Sequence, residues 1–269
     1  MAEYSFLSDH GLENLTLRDK NLSMIQLSKI STRAPKNLNK EKIKAKTAKL
    51  VEELDGLQNL LFAEGKHAVL IVIQGMDASG KDGAIRNVFG NMNPQGVQVT
   101  SFKAPTALEL SHDFLWRIHQ HAPAKGMIQI FNRSHYEDIL ITRVHKWCTD
   151  QQAKDRMRAI NDFEWLLNKH NQTHILKFYL HISPEEQKQR LTERIHDPEK
   201  QWKYNEKDFD EAKLWKEYMH MYEDCFNRCN KIPWVITPAD QNWYKEYVMA
   251  EALHRLLTNL KMQYPGLKK

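Results

Sequence analysis

Apolar residues recur along this chain with two periods, and the two alternate. Val69-Leu70-Ile71-Val72-Ile73 is a continuous, largely β-branched run, the pattern of a strand buried on both faces. Val97 to Phe102, Met127 to Phe131, Ile175 to Ile182 and the short Trp234 to Thr237, closed by Pro238, read as further strands. Helical spacing fills the gaps. Ile43, Thr47, Leu50, Leu54, Leu57 and Leu61 form a near-heptad seam between Asn39 and about Glu64, suited to packing on the domain behind it or to a dimer seam. Further helices are expected from Asp82 to about Met92, over 111–119, from Tyr136 to about Val144, from about Gln152 to His170, over 206–229, and from about Gln241 to Leu260. Ser183-Pro184-Glu185-Glu186 predicts another helix start, with Ser183 as N-cap, Pro184 at the first position and Glu186 completing a capping box. Five strands alternating with helices predict an α/β fold of three layers, a parallel sheet covered on both faces. Residues 1–38 lack clear periodicity and read as an N-terminal arm before a single domain over 39–269, led by the helix over 39–64.

In such a sheet, ligands bind beyond the carboxyl ends of the strands. The first strand ends in Gly75-Met76-Asp77-Ala78-Ser79-Gly80-Lys81-Asp82, a G-x-x-x-x-G-K run that opens a helix. Glycines let the backbone amides of Gly75, Met76, Ala78, Ser79 and Gly80 curl around an anionic oxygen, the helix N-terminus adds partial positive charge, and Lys81 adds a full one. A plain glycine turn between core elements is the other reading. The position after the lysine usually carries Ser or Thr; here it is Asp82, and Asp77 lies inside the loop. Two acids in a phosphate cradle repel a polyanion unless a divalent metal sits between them, so the loop suggests metal-assisted phosphoryl transfer.

The third strand runs into Asn132-Arg133-Ser134-His135-Tyr136-Glu137-Asp138. Asp138 is the candidate third metal-binding acid beside Asp77 and Asp82, Arg133 the candidate neutraliser of transition-state charge, and Asn132 and Glu137 candidate nucleotide or phosphate contacts. An ordinary acidic first helix turn and a structural ion pair would also account for the acids and the arginine. Residues 190–207 carry Arg190, Arg194, Lys200, Lys203 and Lys207 around the helix breaker Pro198. This reads as a lid closing over phosphates, with a solvated charged hairpin as the alternative. Lys103, Arg117 and Arg133 would continue a track for a polyanion.

Composition narrows the classes. With 269 residues, 41% hydrophobic and 27% charged, the chain has the make-up of a globular α/β protein. No apolar run approaches the roughly 20 residues of a membrane span, and the first residues lack a signal-peptide pattern. Three cysteines make no disulfide framework; Cys225 and Cys229, one helical turn apart, suit buried thiols better than a metal pair, and a reducing cytoplasm is expected. The net charge of +5 suits a phosphate-rich partner, but no nucleic-acid-binding signature is present, so neither nucleic acid nor membrane is an expected partner.

The sequence resembles the family 2 polyphosphate kinases from about residue 35 to 260. The matching pieces are G-M-D-A-S-G-K-D-G at 75–83, N-P-Q-G at 93–96, F-N-R-S-H-Y-E-D at 131–138, R-V-H at 143–145 and D-P-E-K-Q-W-K at 197–203. Asp82 after the lysine is itself a mark of that family. The resemblance implies a thymidylate-kinase-like phosphate-loop kinase fold with a helical lid and Mg²⁺ or Mn²⁺ as cofactor. It implies phosphoryl transfer between inorganic polyphosphate and adenine or guanine nucleotides. Glu137, where relatives often carry Asn, and the following R-V-H look like the class III branch, similar in accepting both nucleoside mono- and diphosphates. His135 stands where Tyr or Trp is common. A homo-oligomer, dimer or tetramer, is expected. Two other classes stay open: an ATP-dependent nucleoside monophosphate kinase and a non-catalytic polyanion or nucleotide binder.

Overall fold

A computed structural model describes residues 24–267. Residues 1–23 of the expected arm lie outside the described residues. The rest of it straps across the carboxyl end of the sheet: Thr32 bonds Asp240 through side chain (2.8 Å) and carbonyl, and the carbonyls of Leu27 and Ile30 meet His181 Nε2 at 3.2 Å.

The chain runs α1 (Lys40–Glu64), β1 (Ala68–Gln74), α2 (Lys81–Phe89), β2 (Val97–Ser101), α3 (Ala107–Leu110), α4 (Trp116–His119), β3 (Ile128–Asn132), α5 (Ile141–Val144), α6 (Asp150–Asn171), β4 (Thr173–His181), α7 (Pro184–His196), α8 (Lys207–Lys213), α9 (Trp215–Arg228), β5 (Trp234–Pro238) and α10 (Asn242–Asn259). The strands form one five-stranded sheet in the order β2-β3-β1-β4-β5, all parallel. Every residue of β1 and β4 is buried, β1 through its unbroken apolar run and β4 with Lys177 and two histidines among its apolar residues, whereas edge strand β2 leaves Val99 half exposed. The chain crosses from β3 to β4 on the far side of β1, so the crevice lies at the carboxyl ends of β1 and β3.

The seam of α1 packs within the chain. Leu50, Leu54 and Leu61 are buried, α1 lies along α10, and Lys46–Glu251 (3.1 Å) and Glu53–His254 (2.8 Å) tie the pair at its rim. Intramolecular packing thus accounts for the near-heptad spacing.

Three expected helices and one expected capping box come out differently. Residues 111–119 hold only α4, because the Asp113 carboxylate bonds Leu115 N–H (2.9 Å) in a turn, and α3 begins earlier from a Thr106 capping box. Tyr136 to Val144 is a tight 3₁₀ turn, His135–Ile139, followed after Leu140 by α5. Residues 206–229 break at Leu214 into α8 and α9. Ser183 does cap α7, but Glu186 does not return the bond; its carboxylate holds Arg190 at 2.9 Å instead. Cys225 and Cys229 are free, buried thiols.

Candidate active site

The loop between β1 and α2 closes tightly for reasons of space. A Cβ on Gly75 would meet Ser79 Oγ at 2.8 Å and Leu180 O at 3.1 Å. Gly80 has φ of 90°, and a Cβ there would strike Lys245 Nζ. Lys81, the first residue of α2, is buried and folds back so that Nζ donates to Gly75 O (2.7 Å) and Met76 O (3.1 Å). Burial and the nearby Arg133 push its ammonium down to about 8, against the acids Asp77, Glu137 and Asp82.

Across the loop stands Arg133, at φ of 61° just past β3. Its Nη2 meets Asp77 Oδ1 at 2.5 Å. Burial raises the Asp77 carboxyl, but Lys81 and then Arg133 outweigh it and hold it low. Asp82, more exposed, accepts from Asn132 Nδ2 (2.8 Å) and from Lys203 Nζ of the segment after α7 (3.3 Å); these bonds outweigh its burial and hold it low too. Two acid–base pairs therefore straddle Lys81, with Arg133, Lys203 and the loop amides around one space.

Glu137 faces the same space. Burial raises its carboxyl against the charges of Arg133 and Lys81, and with the Gln74 amide oriented to satisfy both ends, Gln74 donates to Glu137 Oε1 at 2.9 Å and accepts from Ser134. Asp138 does not join it. Burial raises its carboxyl, against the charges of Arg156 and Arg117. The expected meeting of Asp77, Asp82 and Asp138 is thus corrected: among the described residues no group of three or more acids, histidines or cysteines gathers as a metal cage. The reason is local. Successive residues of a 3₁₀ turn point about 120° apart, so neighbouring acids face different sides.

The turn is fixed from behind by a buried polar cluster. Tyr136 OH donates to Glu164 Oε1 (2.6 Å), and Lys177 Nζ donates to Glu164 Oε2 and Tyr136 Oη (both 2.8 Å). His135 completes it, its Nε2 lying 3.4 Å from Glu164 Oε1.

The expected polyanion track divides. Lys203 faces the loop; Lys200 is exposed and bound to Glu193 (3.0 Å) and Asp197 (3.1 Å); Lys103 and Lys207 are exposed. Arg194 is paired with Asp208 at 2.5 Å and donates to Lys203 O. Arg117 is buried, donating to Lys103 O at 2.9 Å and lying over the Phe102 ring. Arg190 is corrected outright. Its Nη1 donates to Ala78 O and Ser79 O, its Nη2 to Ala239 O and Asp240 O, and its Nε to Glu186, so all five N–H groups are taken and none is left for a polymer. Sequence reasoning missed Lys245 of α10, whose Nζ reaches Ser79 O and Gly80 O, and Gln187 of α7, which donates to Asp77 O at 3.0 Å. No sequence signal separates either from an ordinary helix residue.

The polyphosphate kinase 2 family model matches residues 37–267. The chain belongs to that family. It is 48% identical over 220 residues, 81% of this chain and 82% of the relative, to the AMP/ADP-polyphosphate phosphotransferase of Meiothermus ruber. It is 43% identical over 229 residues to the ADP-polyphosphate phosphotransferase of Rhodopseudomonas palustris, covering 80% of this chain and 79% of the relative. The crystal structure of polyphosphate kinase 2 from Arthrobacter aurescens superposes with a TM-score of 0.91 at 39% identity, over 96% of this chain and 92% of that one. The family and this superposition bear out the α/β phosphate-loop kinase fold. No helix among the described residues is long and apolar enough to cross a membrane.

Proposed function

We propose that this enzyme transfers a phosphoryl group between inorganic polyphosphate and nucleoside mono- and diphosphates, converting AMP to ADP and ADP to ATP, and by the same chemistry GMP and GDP. The observation that carries it is the pair of acid–base contacts, Arg133–Asp77 and Lys203–Asp82, straddling the buried Lys81 on a glycine loop. Every strong group in that space is suited to phosphate oxygens or to a cation between them. The relatives named above act on polyphosphate with AMP or ADP, which supports the substrate class.

The donor set fits a divalent ion. Mg²⁺ is usually held by one or two carboxylates, with substrate phosphates and water completing its shell, rather than by a protein cage. Asp82 and Asp77 are the carboxylates that would hold Mg²⁺ or Mn²⁺, which when bound neutralises charge on the reacting phosphates. The chain's own residues do the rest. Lys81 leaves its loop carbonyls for a phosphate oxygen. Arg133, released from Asp77, neutralises the equatorial oxygens of the transferring group. The terminal phosphate oxygen of the nucleotide attacks the terminal phosphorus of the polymer in line, a new P–O bond forms, and the old bridging oxygen leaves with its electron pair on the shortened chain. Positioning and charge neutralisation suffice, without a covalent enzyme intermediate. Lys203 and the exposed lid cations Lys200 and Lys207 guide the polymer. Glu137, beside Lys81 and Arg133, occupies the side where a monophosphate acceptor leaves a phosphate position unfilled, and so bears on acceptor choice.

The test is formation of ATP from ADP and long-chain polyphosphate with Mg²⁺, followed by a coupled assay. Turnover that requires polyphosphate supports the reading. Transfer to AMP from ATP alone, with none from polyphosphate, overturns it.

A further inference from the structure

All six carbonyls from Gly75 to Gly80 are held by side chains. Lys81 Nζ takes Gly75 O and Met76 O from within. Gln187 takes Asp77 O, and Arg190 takes Ala78 O (3.1 Å) and Ser79 O (3.2 Å) from outside. Lys245 Nζ closes the series with Ser79 O (3.4 Å), Gly80 O (3.1 Å) and Asn242 Oδ1 (2.9 Å).

Lys245 is an expensive residue for this place. It is only 1% exposed, and it lies near the N-terminus of α10, where the helix dipole disfavours a cation. Burial and the adjacent Arg190 push its ammonium down to about 8. A buried ammonium needs full hydrogen bonding to persist, and it finds it on the loop. A peptide unit is planar and trans, so a carbonyl drawn outward turns the next amide N–H inward. Holding Ser79 O turns the Gly80 amide toward the phosphate space; Gly80 O, which also accepts the first bond of α2 from Ala84 N–H (3.1 Å), is held by Lys245 beside it and turns the Lys81 amide likewise. The bare edge of Gly80 is also where Lys245 Nζ sits, so one reason for glycine there is the clamp itself.

We infer that Lys245 is a positioning residue, which aims the amides of Gly80 and Lys81 at the bound phosphate by holding the carbonyls of Ser79 and Gly80 from outside. It touches no substrate. Its kinetic assay rests on the phosphotransferase reading above; its binding assay does not.

Lys245→Met keeps the aliphatic stem and removes the ammonium. Asn242→Ala, at an exposed residue, removes only the bond that orients Nζ. Affinity for inorganic tripolyphosphate, measured by calorimetry without nucleotide, is read beside kcat and KM for ADP and polyphosphate. A misaimed cradle should lower kcat about 10- to 100-fold and weaken tripolyphosphate binding about 10-fold in Lys245→Met. Asn242→Ala should move both the same way by about 2- to 10-fold. A merely structural lysine would lower the melting temperature while leaving kcat, KM and tripolyphosphate affinity of the folded protein within about twofold of the original, and that overturns the inference. If Lys245→Met does not fold, Asn242→Ala decides, and unchanged binding and kcat overturn it. If the unaltered enzyme shows no polyphosphate-dependent turnover, the activity reading fails alone. Loss of tripolyphosphate affinity in the variants would still support the clamp, and its retention would sink it.

Discussion

Against the glycine loop two cations are largely withdrawn from water and tied to named oxygens: the buried Lys81 to two loop carbonyls, and Arg190 of α7, partly buried, to four carbonyls and a carboxylate. In the segment between α7 and α8 the same residue types stand in water. Lys200 and Lys203 retain 47% and 35% side-chain exposure, and their partners are nearby acids. Coulomb energy between such exposed groups is screened by salt over about 10 Å, whereas buried groups escape most of that screening. Fully bonded cations withdrawn from water suit the fixing of geometry, and exposed ones suit the attraction of a polymer, the role proposed for this lid segment. The Lys203–Asp82 contact joins the two. Substitutions in the loop should change kcat with little salt dependence, and those in the lid should change KM and its response to salt.

The largest effect belongs to Lys81. Lys81→Ala should lower kcat by about 10³-fold or more while the melting temperature stays within a few degrees. A folded variant with near-normal turnover would remove the loop from the chemistry and end the contrast. The same lysine should appear in the pH profile. Its pKa is pushed down from 10.5 to about 8, so the ammonium is intact below that value and is lost as pH rises through it. The kcat/KM for polyphosphate should fall about tenfold per unit above pH 8. The limb in kcat should lie higher, because bound phosphate favours the ammonium. A flat kcat/KM profile to pH 9.5 would refute this.

Next comes the Asp77–Arg133 pair. Asp77→Asn keeps the shape but removes a carboxylate from both Arg133 and the proposed metal. Turnover should drop about 10²-fold, and the Mg²⁺ concentration for half-maximal rate should rise. Full activity with unchanged Mg²⁺ dependence would leave Asp77 as only a structural partner of Arg133.

Much of this contrast was legible in the sequence, and its failures have physical causes. The strand over 69–73 and the glycine loop were readable because an unbroken β-branched run and a G-x-x-x-x-G-K spacing each admit few backbone solutions. Arg190 was misread because helix position tells which face a guanidinium leaves from, and not whether the next layer offers carbonyls or water. Lys245 was missed for the same reason: only its burial against Gly80 sets it apart. That Glu137 faces the loop and Asp138 does not turns on one local detail, a 3₁₀ turn in place of an α-helix, which rotates each side chain about 20° further per residue.

Glu137 gives a smaller, sharper test. Glu137→Ala should alter the ratio of AMP to ADP activity by several-fold, about 1 kcal/mol of selective contact. Equal loss with both acceptors would assign it a general role in the loop's electrostatics.

The smallest effect separates lid from loop most cleanly. Polyphosphate is a flexible line of negative charge, and its binding releases counterions as nucleic-acid backbone binding does. Each lid cation that neutralises a phosphate should contribute roughly one unit to the log–log slope of affinity against salt. Lys203 is the cation to remove, because it faces the loop and its partner Asp82 is itself half in solvent. Lys203→Ala should raise the polyphosphate KM by a few-fold at low salt and flatten its salt dependence, leaving the nucleotide KM nearly unchanged. Arg194→Ala is the contrasting case. Its guanidinium is engaged with Asp208 and the Lys203 carbonyl, so its loss should loosen the lid without flattening the salt dependence. Polyphosphate KM at several salt concentrations for the two variants and the unaltered enzyme decides the matter. If the Lys203→Ala curve runs parallel to the original with equal KM, the lid cations do not meet the polymer, and charge attraction must be assigned to the loop.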